Sequence, residues 1–192
     1  MQKSFKRALI IAGIVVLALF WSISYLRSLA VSRDTGGFTL LHRAAVEGSM
    51  SKTAFWVLFG AQVSARSQNG QTPLHLAVTP DVVRVLLTHG ADLNARTEGG
   101  DTPLYMAIQL EQPLIVDELL KHGAKVNMQN GTGETPLHLA CQKNNKIICA
   151  MLLSNGADAR LRDIFGQTPL QHARKMQSVD ALRTLKHFGV TK

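Results

Sequence analysis

One four-residue pattern recurs along this chain in fixed register and leaves few folds open to it. Thr39-Leu40-Leu41-His42 is followed by Thr72-Pro73-Leu74-His75, Thr102-Pro103-Leu104-Tyr105, Thr135-Pro136-Leu137-His138 and Thr168-Pro169-Leu170-Gln171, with the threonines 33, 30, 33 and 33 residues apart. A glycine stands two positions before each threonine, at Gly37, Gly70, Gly100, Gly133 and Gly166. Another follows 21 residues after it, at Gly60, Gly123, Gly156 and Gly189, or 18 after it at Gly90. Self-similarity at this period means one supersecondary unit copied in line. No unit that small can bury its own apolar face, so the copies must stack.

Each position in the pattern has a physical task. The first glycine supplies the backbone freedom of a tight turn. Threonine caps a helix with its hydroxyl, and proline at the first helical position sacrifices no hydrogen bond. The leucine then faces inward, as do Ala44, Ala77, Ala107, Ala140 and Ala173, whose small size lets a second, antiparallel helix approach closely. That second helix carries Leu86-Leu87, Leu119-Leu120 and Leu152-Leu153 as a buried ridge, and the later glycine ends it in the left-handed conformation. The expected fold is all-α, a solenoid of helix-turn-helix units with turn or hairpin tips.

On these residues the chain resembles the ankyrin repeat family, whose unit pairs a turn or short hairpin with two antiparallel helices. The resemblance implies a repeat domain over 34–192, divided as 34–66, 67–96, 97–129, 130–162 and 163–192, preceded by an N-terminal segment 1–33. Leu40 in place of proline, and Lys186 in place of a second buried leucine, suit end units that must meet water. The second unit lacks three residues around Thr79-Pro80-Asp81, which shortens either its inter-helix turn or an adjoining helix. Pro113 is expected to start the outer helix of the third unit.

The resemblance also implies a function. Members of the family bind proteins through exposed turn tips and the adjoining face of the inner helices. Carried over by register, the tip positions are Phe38, Gln68, Asn69, Gln71, Glu98, Asp101, Thr132, Glu134, Ile164, Phe165 and Gln167; those on inner helices are Val46, Glu47, Gln109, Gln142 and Lys143. Phe38 and Phe165 are the expected apolar anchors, because large side chains buried at an interface dominate its energy; packing within the tips is the alternative. The expected partner is another protein, with no nucleic acid, small-molecule substrate, metal or cofactor implied.

Other chemistry is weaker. His42, His75 and His138 occupy one place in different units and cannot converge on a metal. His138 and Cys141, three apart on one helix, have the spacing of a nucleophile and its base. A small thiol-dependent enzyme is therefore the competing class. Cys141 and Cys149 also sit at core positions, where they behave as small hydrophobes or pair as a disulfide. Phosphate-cradling glycine loops, paired metal-ligand motifs and nucleophile elbows are absent from the sequence, and the bases of the last unit have no nucleic-acid motif around them.

Residues 8–26 form a run of 19 without formal charge. As a helix it would extend about 28 Å, close to the roughly 30 Å of a bilayer core. Trp21 and Tyr25 near its end suit a headgroup belt. The bases Lys3, Lys6 and Arg7 before it, against Arg27 and Arg33 after it, keep the N-terminus cytoplasmic by one charge. The expectation is an uncleaved anchor with the repeats outside the cytoplasm, a bacterial periplasm being favoured. A cleaved secretory signal and a cytoplasmic-facing regulator are the alternatives. These bases contribute to the net charge of +8. In the first unit Ala54-Phe55-Trp56-Val57-Leu58-Phe59 is apolar all round, an excess that calls for the linker, a membrane surface or a partner.

Overall fold

The computed structural model describes residues 18–191. From Leu40 onward its helices come in pairs: α1 (Leu40–Val46) with α2 (Met50–Leu58), a short 3-10 turn (Pro73–Leu76) with α3 (Pro80–Thr88), α4 (Pro103–Gln109) with α5 (Pro113–Lys121), α6 (Pro136–Gln142) with α7 (Lys146–Ser154), and α8 (Pro169–Lys175) with α9 (Val179–His187). Among the described residues there is no strand. Inner helices stack on inner helices and outer on outer along the chain. The first two pairs are thereby joined to the last in one row, as the repeat register requires.

The pattern residues build the core. Leu41, Leu74, Leu104, Leu137 and Leu170 are buried, as are the five pattern alanines. From the outer helices come Leu86, Leu119, Leu152 and Leu185, each at 0% exposure. All of these except Ala44 belong to one continuous cluster, so the stacking of pairs supplies the burial that no pair achieves alone. Lys186 is exposed in the last pair, as an end unit demands.

The second pair reports how three missing residues are absorbed. In the other pairs the turn between helices passes through one left-handed residue, Gly48, Glu111, Asn144 or Gln177, with φ between 52° and 68°. In the second pair the inner helix is three residues shorter, and the connection, still three residues long, has no left-handed residue. Ala77 leaves the 3-10 turn in an extended conformation, while α3 keeps all nine residues. The loss falls on the inner helix, and Gly48 leaves room for Val78 and Thr79 of that connection. Pro113 opens α5 at its first position, where its missing N–H costs nothing.

Two hydrogen-bond ladders run across the pairs. At the tips, Gln68, Glu98, Gly131 and Ile164 donate backbone N–H groups to Gly36, Asn69, Gly99 and Thr132 at 2.7–3.1 Å. Below them, Arg33 donates to the Arg66 carbonyl, Arg66 to that of Arg96, Arg96 to that of Gln129, and Gln129 to that of Arg162. Ordered contacts begin before Asp34: Ala30 is fully buried within the core cluster, near the end of a helical stretch at 18–31. Residues 8–17 of the apolar run lie outside the described residues. Among the described residues no helix is long and apolar enough to cross a membrane.

Candidate protein-binding face

The histidine three residues after the pattern threonine in the first, second and fourth units belongs to the scaffold. His138 accepts the Thr135 N–H at Nδ1 (3.1 Å), which leaves the hydrogen on Nε2, and this donates to the Gln167 carbonyl at 2.9 Å in the next tip. His42 and His75 repeat the arrangement, reaching the carbonyls of Gln71 and Asp101 at 3.0 and 3.1 Å. Each imidazole thus locks its own helix start and the following tip at once. The third unit solves the same problem differently. Tyr105 stands in the histidine position and its hydroxyl donates to Glu134 at 2.6 Å; burial and then the Glu134 carboxylate push the phenol pKa up.

Burial pushes His75 down to about 4, and it also lowers His42 and His138. The unfolded chain takes up these protons below about pH 6.5 while the folded chain refuses them. Stability is therefore fully present above that pH and is lost as pH falls toward 4. Gln171 fills the same position in the last unit, its Oε1 accepting the Thr168 N–H at 2.8 Å. His75→Gln should thus keep the cap and flatten the pH dependence, recovering up to about 3 kcal/mol of the acid loss. Urea denaturation at pH 7 and pH 4.5 checks this, and an unchanged slope would mean that His75 titrates freely.

The locked tips and inner helices present the register positions as a fixed surface. Gln68, Asn69, Glu98, Thr132, Ile164 and Phe165 are exposed at the tips, and Val46, Glu47, Gln109, Gln142 and Lys143 are exposed on or just beyond the inner helices. The positions directly before each threonine, Phe38, Gln71, Asp101, Glu134 and Gln167, are half-buried between neighbouring tips. Several already have partners: Asp101 accepts from Asn130, Glu134 from Tyr105, and Glu47 pairs with Lys52.

The two aromatic anchors separate. Phe165 is 76% exposed beside Ile164 at 65%. Phe38 lies edge-on to the His42 ring at 5.5 Å and lines an open groove with Arg43, Val46 and Leu76. Register also exposes residues that the sequence reading passed over. Leu110, at 52%, falls where Glu47, Lys143 and Met176 fall in their units, and Val78 is exposed in the shortened one. Val46, Val78, Leu110 and Met176 are exposed apolar residues at the ends of four inner helices, with the charged Lys143 at that place in the fourth unit, and the period alone could have marked Leu110.

Glu134, Asp163 and His172 bring ligand-type atoms within 4.8 Å of one another. Glu134 accepts from the Tyr105 hydroxyl, and Asp163 is committed to His172 and the backbone. Asp163 accepts from the N–H groups of Phe165 and Gln167 and lies 2.9 Å from His172 Nε2. Burial opposes its charge, yet His172 and those N–H groups hold the carboxyl below its ordinary range. Cys141 and Cys149 are buried free thiols. The neighbouring Cys149 thiol and burial push the Cys141 pKa up, and both nitrogens of His138 are engaged elsewhere. The geometry therefore places no free base beside the Cys141 thiol.

Comparison with known proteins agrees with this geometry. The family described as ankyrin repeats (3 copies) matches residues 41–130 and 114–192. A curated mouse protein, Protein phosphatase 1 regulatory subunit 27, is 36% identical over 70 residues, which is 33% of this chain and 46% of that protein. The alignment thus spans less than half the length of that relative.

Proposed function

The chain belongs to the ankyrin repeat family, and on that premise we propose that it is a non-enzymatic protein-binding module in which each of the five helical pairs is one repeat of the domain 34–192. The observation that carries this reading is the set of exposed apolar side chains Val46, Leu110, Met176, Ile164 and Phe165, displayed at register positions on a hydrogen-bonded scaffold. Polar neighbours such as Gln68, Asn69, Gln109 and Gln142 supply the rim that such interfaces have. A relative named as a regulatory subunit supports a partner that is itself an enzyme, which this module would scaffold, support or inhibit; an incoming toxin blocked by an immunity protein is one such case.

The apolar run at 8–26 supports attachment to a membrane. The excess of bases before it supports the repeats facing away from the cytoplasm, in a bacterium the periplasm. Proximity labelling with the full chain, followed by affinity measurement on the recovered partner, tests the binding face. Phe165→Ala is expected to weaken capture at least tenfold, about 1.4 kcal/mol or more. Phe38→Ala, whose ring already packs on His42, should weaken it less. An undiminished affinity in Phe165→Ala would remove the last tip from the site.

A further inference from the structure

We propose that α2, the outer helix of the first pair, lies on the lipid headgroup layer, with Met50, Phe55 and Leu58 entering it. The inference rests on the membrane reading of residues 8–26. Its first support is distance. If the span ends near Leu26, the fully buried Ala30 comes only one helical turn later, about 6 Å along the axis. The headgroup layer is itself roughly 5–8 Å deep on each side. Nor is slack available beyond Ala30: Ser32 N–H is bonded to the Leu29 carbonyl, and Arg33 donates to the carbonyls of Gly37 and Arg66. The start of the array is thus held against the layer in which the span must end.

The second support is the side chains found there. Leu58 is 78% exposed, Met50 53% and Phe55 40%. In the other outer helices the place of Leu58 is taken by Thr88, Lys121, Ser154 and His187, residues that suit water. The apolar residue appears in the unit nearest the run and nowhere else in that register. Phe55 packs on Phe59 with the rings tilted by 41° and meets Trp56 edge-on, at 4.6 and 5.0 Å, giving an aromatic patch. Lys52, exposed on the same helix, is held in an ion pair with Glu47 at 2.6 Å, which keeps one cation beside the apolar face. Upstream, Trp21 and Tyr25 are 74% and 66% exposed on the helical stretch that runs into the span. A bilayer surface accommodates all of these at once, and it fixes the orientation in which the binding face is offered.

The test uses the full chain in vesicles of phosphatidylcholine and phosphatidylglycerol. An environment-sensitive fluorophore is placed at Leu58→Cys, with Glu47→Cys in the same unit and Ser154→Cys in the fourth as comparisons. The native cysteines are buried. The expected result is co-flotation with vesicles, a blue-shifted Leu58 label, and quenching by headgroup-nitroxide lipid several-fold stronger than at Glu47 or Ser154. Flotation with equal quenching at all three sites overturns the inference and leaves the anchor standing. Failure to float overturns both. A blue shift that grows with protein concentration but resists lipid nitroxide places a second copy on α2 and also overturns it.

Discussion

Leu119→Ala is expected to destabilise the chain by about 3–5 kcal/mol, the range for a large aliphatic side chain removed from a rigid core. Leu119 has 0% exposure on α5, the outer helix of the middle pair, with α3 stacked on one side and α7 on the other. A cavity at that point weakens two interfaces together. In a linear array, stability is close to a sum of unit terms and nearest-neighbour terms, so a central interface matters to the whole. Leu185→Ala, equally buried in α9, has a neighbouring pair on one side and should cost less. Leu114→Ala on α5, where the side chain is 70% exposed, should cost almost nothing. Urea denaturation followed by far-ultraviolet circular dichroism checks all three. A Leu119→Ala cost within 1 kcal/mol of that of Leu114→Ala would mean that the pairs do not share a core.

Gly100→Ala should cost about 2–4 kcal/mol, summing left-handed backbone strain with overpacking against main chain. Gly100 has φ +82°, and a Cβ there would stand 2.8 Å from the Gly131 nitrogen and 3.1 Å from the Asn130 carbonyl carbon. The same Gly131 N–H donates to Gly99 at 2.7 Å, so the fourth tip cannot retreat without losing a rung of the ladder. Gly90→Ala isolates the strain. Its φ is +85° and its added Cβ meets nothing within 4 Å, so it should cost only about 1–2 kcal/mol. Equal melting points for the two variants would show that tip contact contributes nothing.

Much of this architecture is legible in the sequence because burial and helix starts are written in residue type at a fixed spacing. The helix starts at Pro73, Pro103, Pro136 and Pro169, the buried leucines, and the exposed Lys186 all follow from the register. The arginine ladder was missed. Its residues, Arg33, Arg66, Arg96, Gln129 and Arg162, keep the period, but the acceptors are backbone carbonyls, which no side-chain pattern announces. The bond between Tyr105 and Glu134 escaped for a related reason. Tyr105 departs from its column and Glu134 stands in a mixed one, so their hydrogen bond appears only when two units are laid side by side.

The different fates of Phe38 and Phe165 were available in principle. Phe38 aligns with Gln167 directly before the threonine, a position wedged between tips, whereas Phe165 aligns with Asn69 and Thr132 at the outermost bend. In the second unit the choice between a shorter turn and a shorter helix was not available. It is decided by the backbone at Ala77, which turns extended directly after the 3-10 turn.

The most direct test of a protein-binding surface is site-specific photo-crosslinking in living cells. A benzophenone side chain would be placed singly at Gln109 and at Phe165 on the candidate face, and at Ser154 and Lys121 on the outer helices. The account predicts one common protein adduct from Gln109 and Phe165, absent from the other two positions. Adducts of equal yield from all four, or from the outer helices alone, would contradict it.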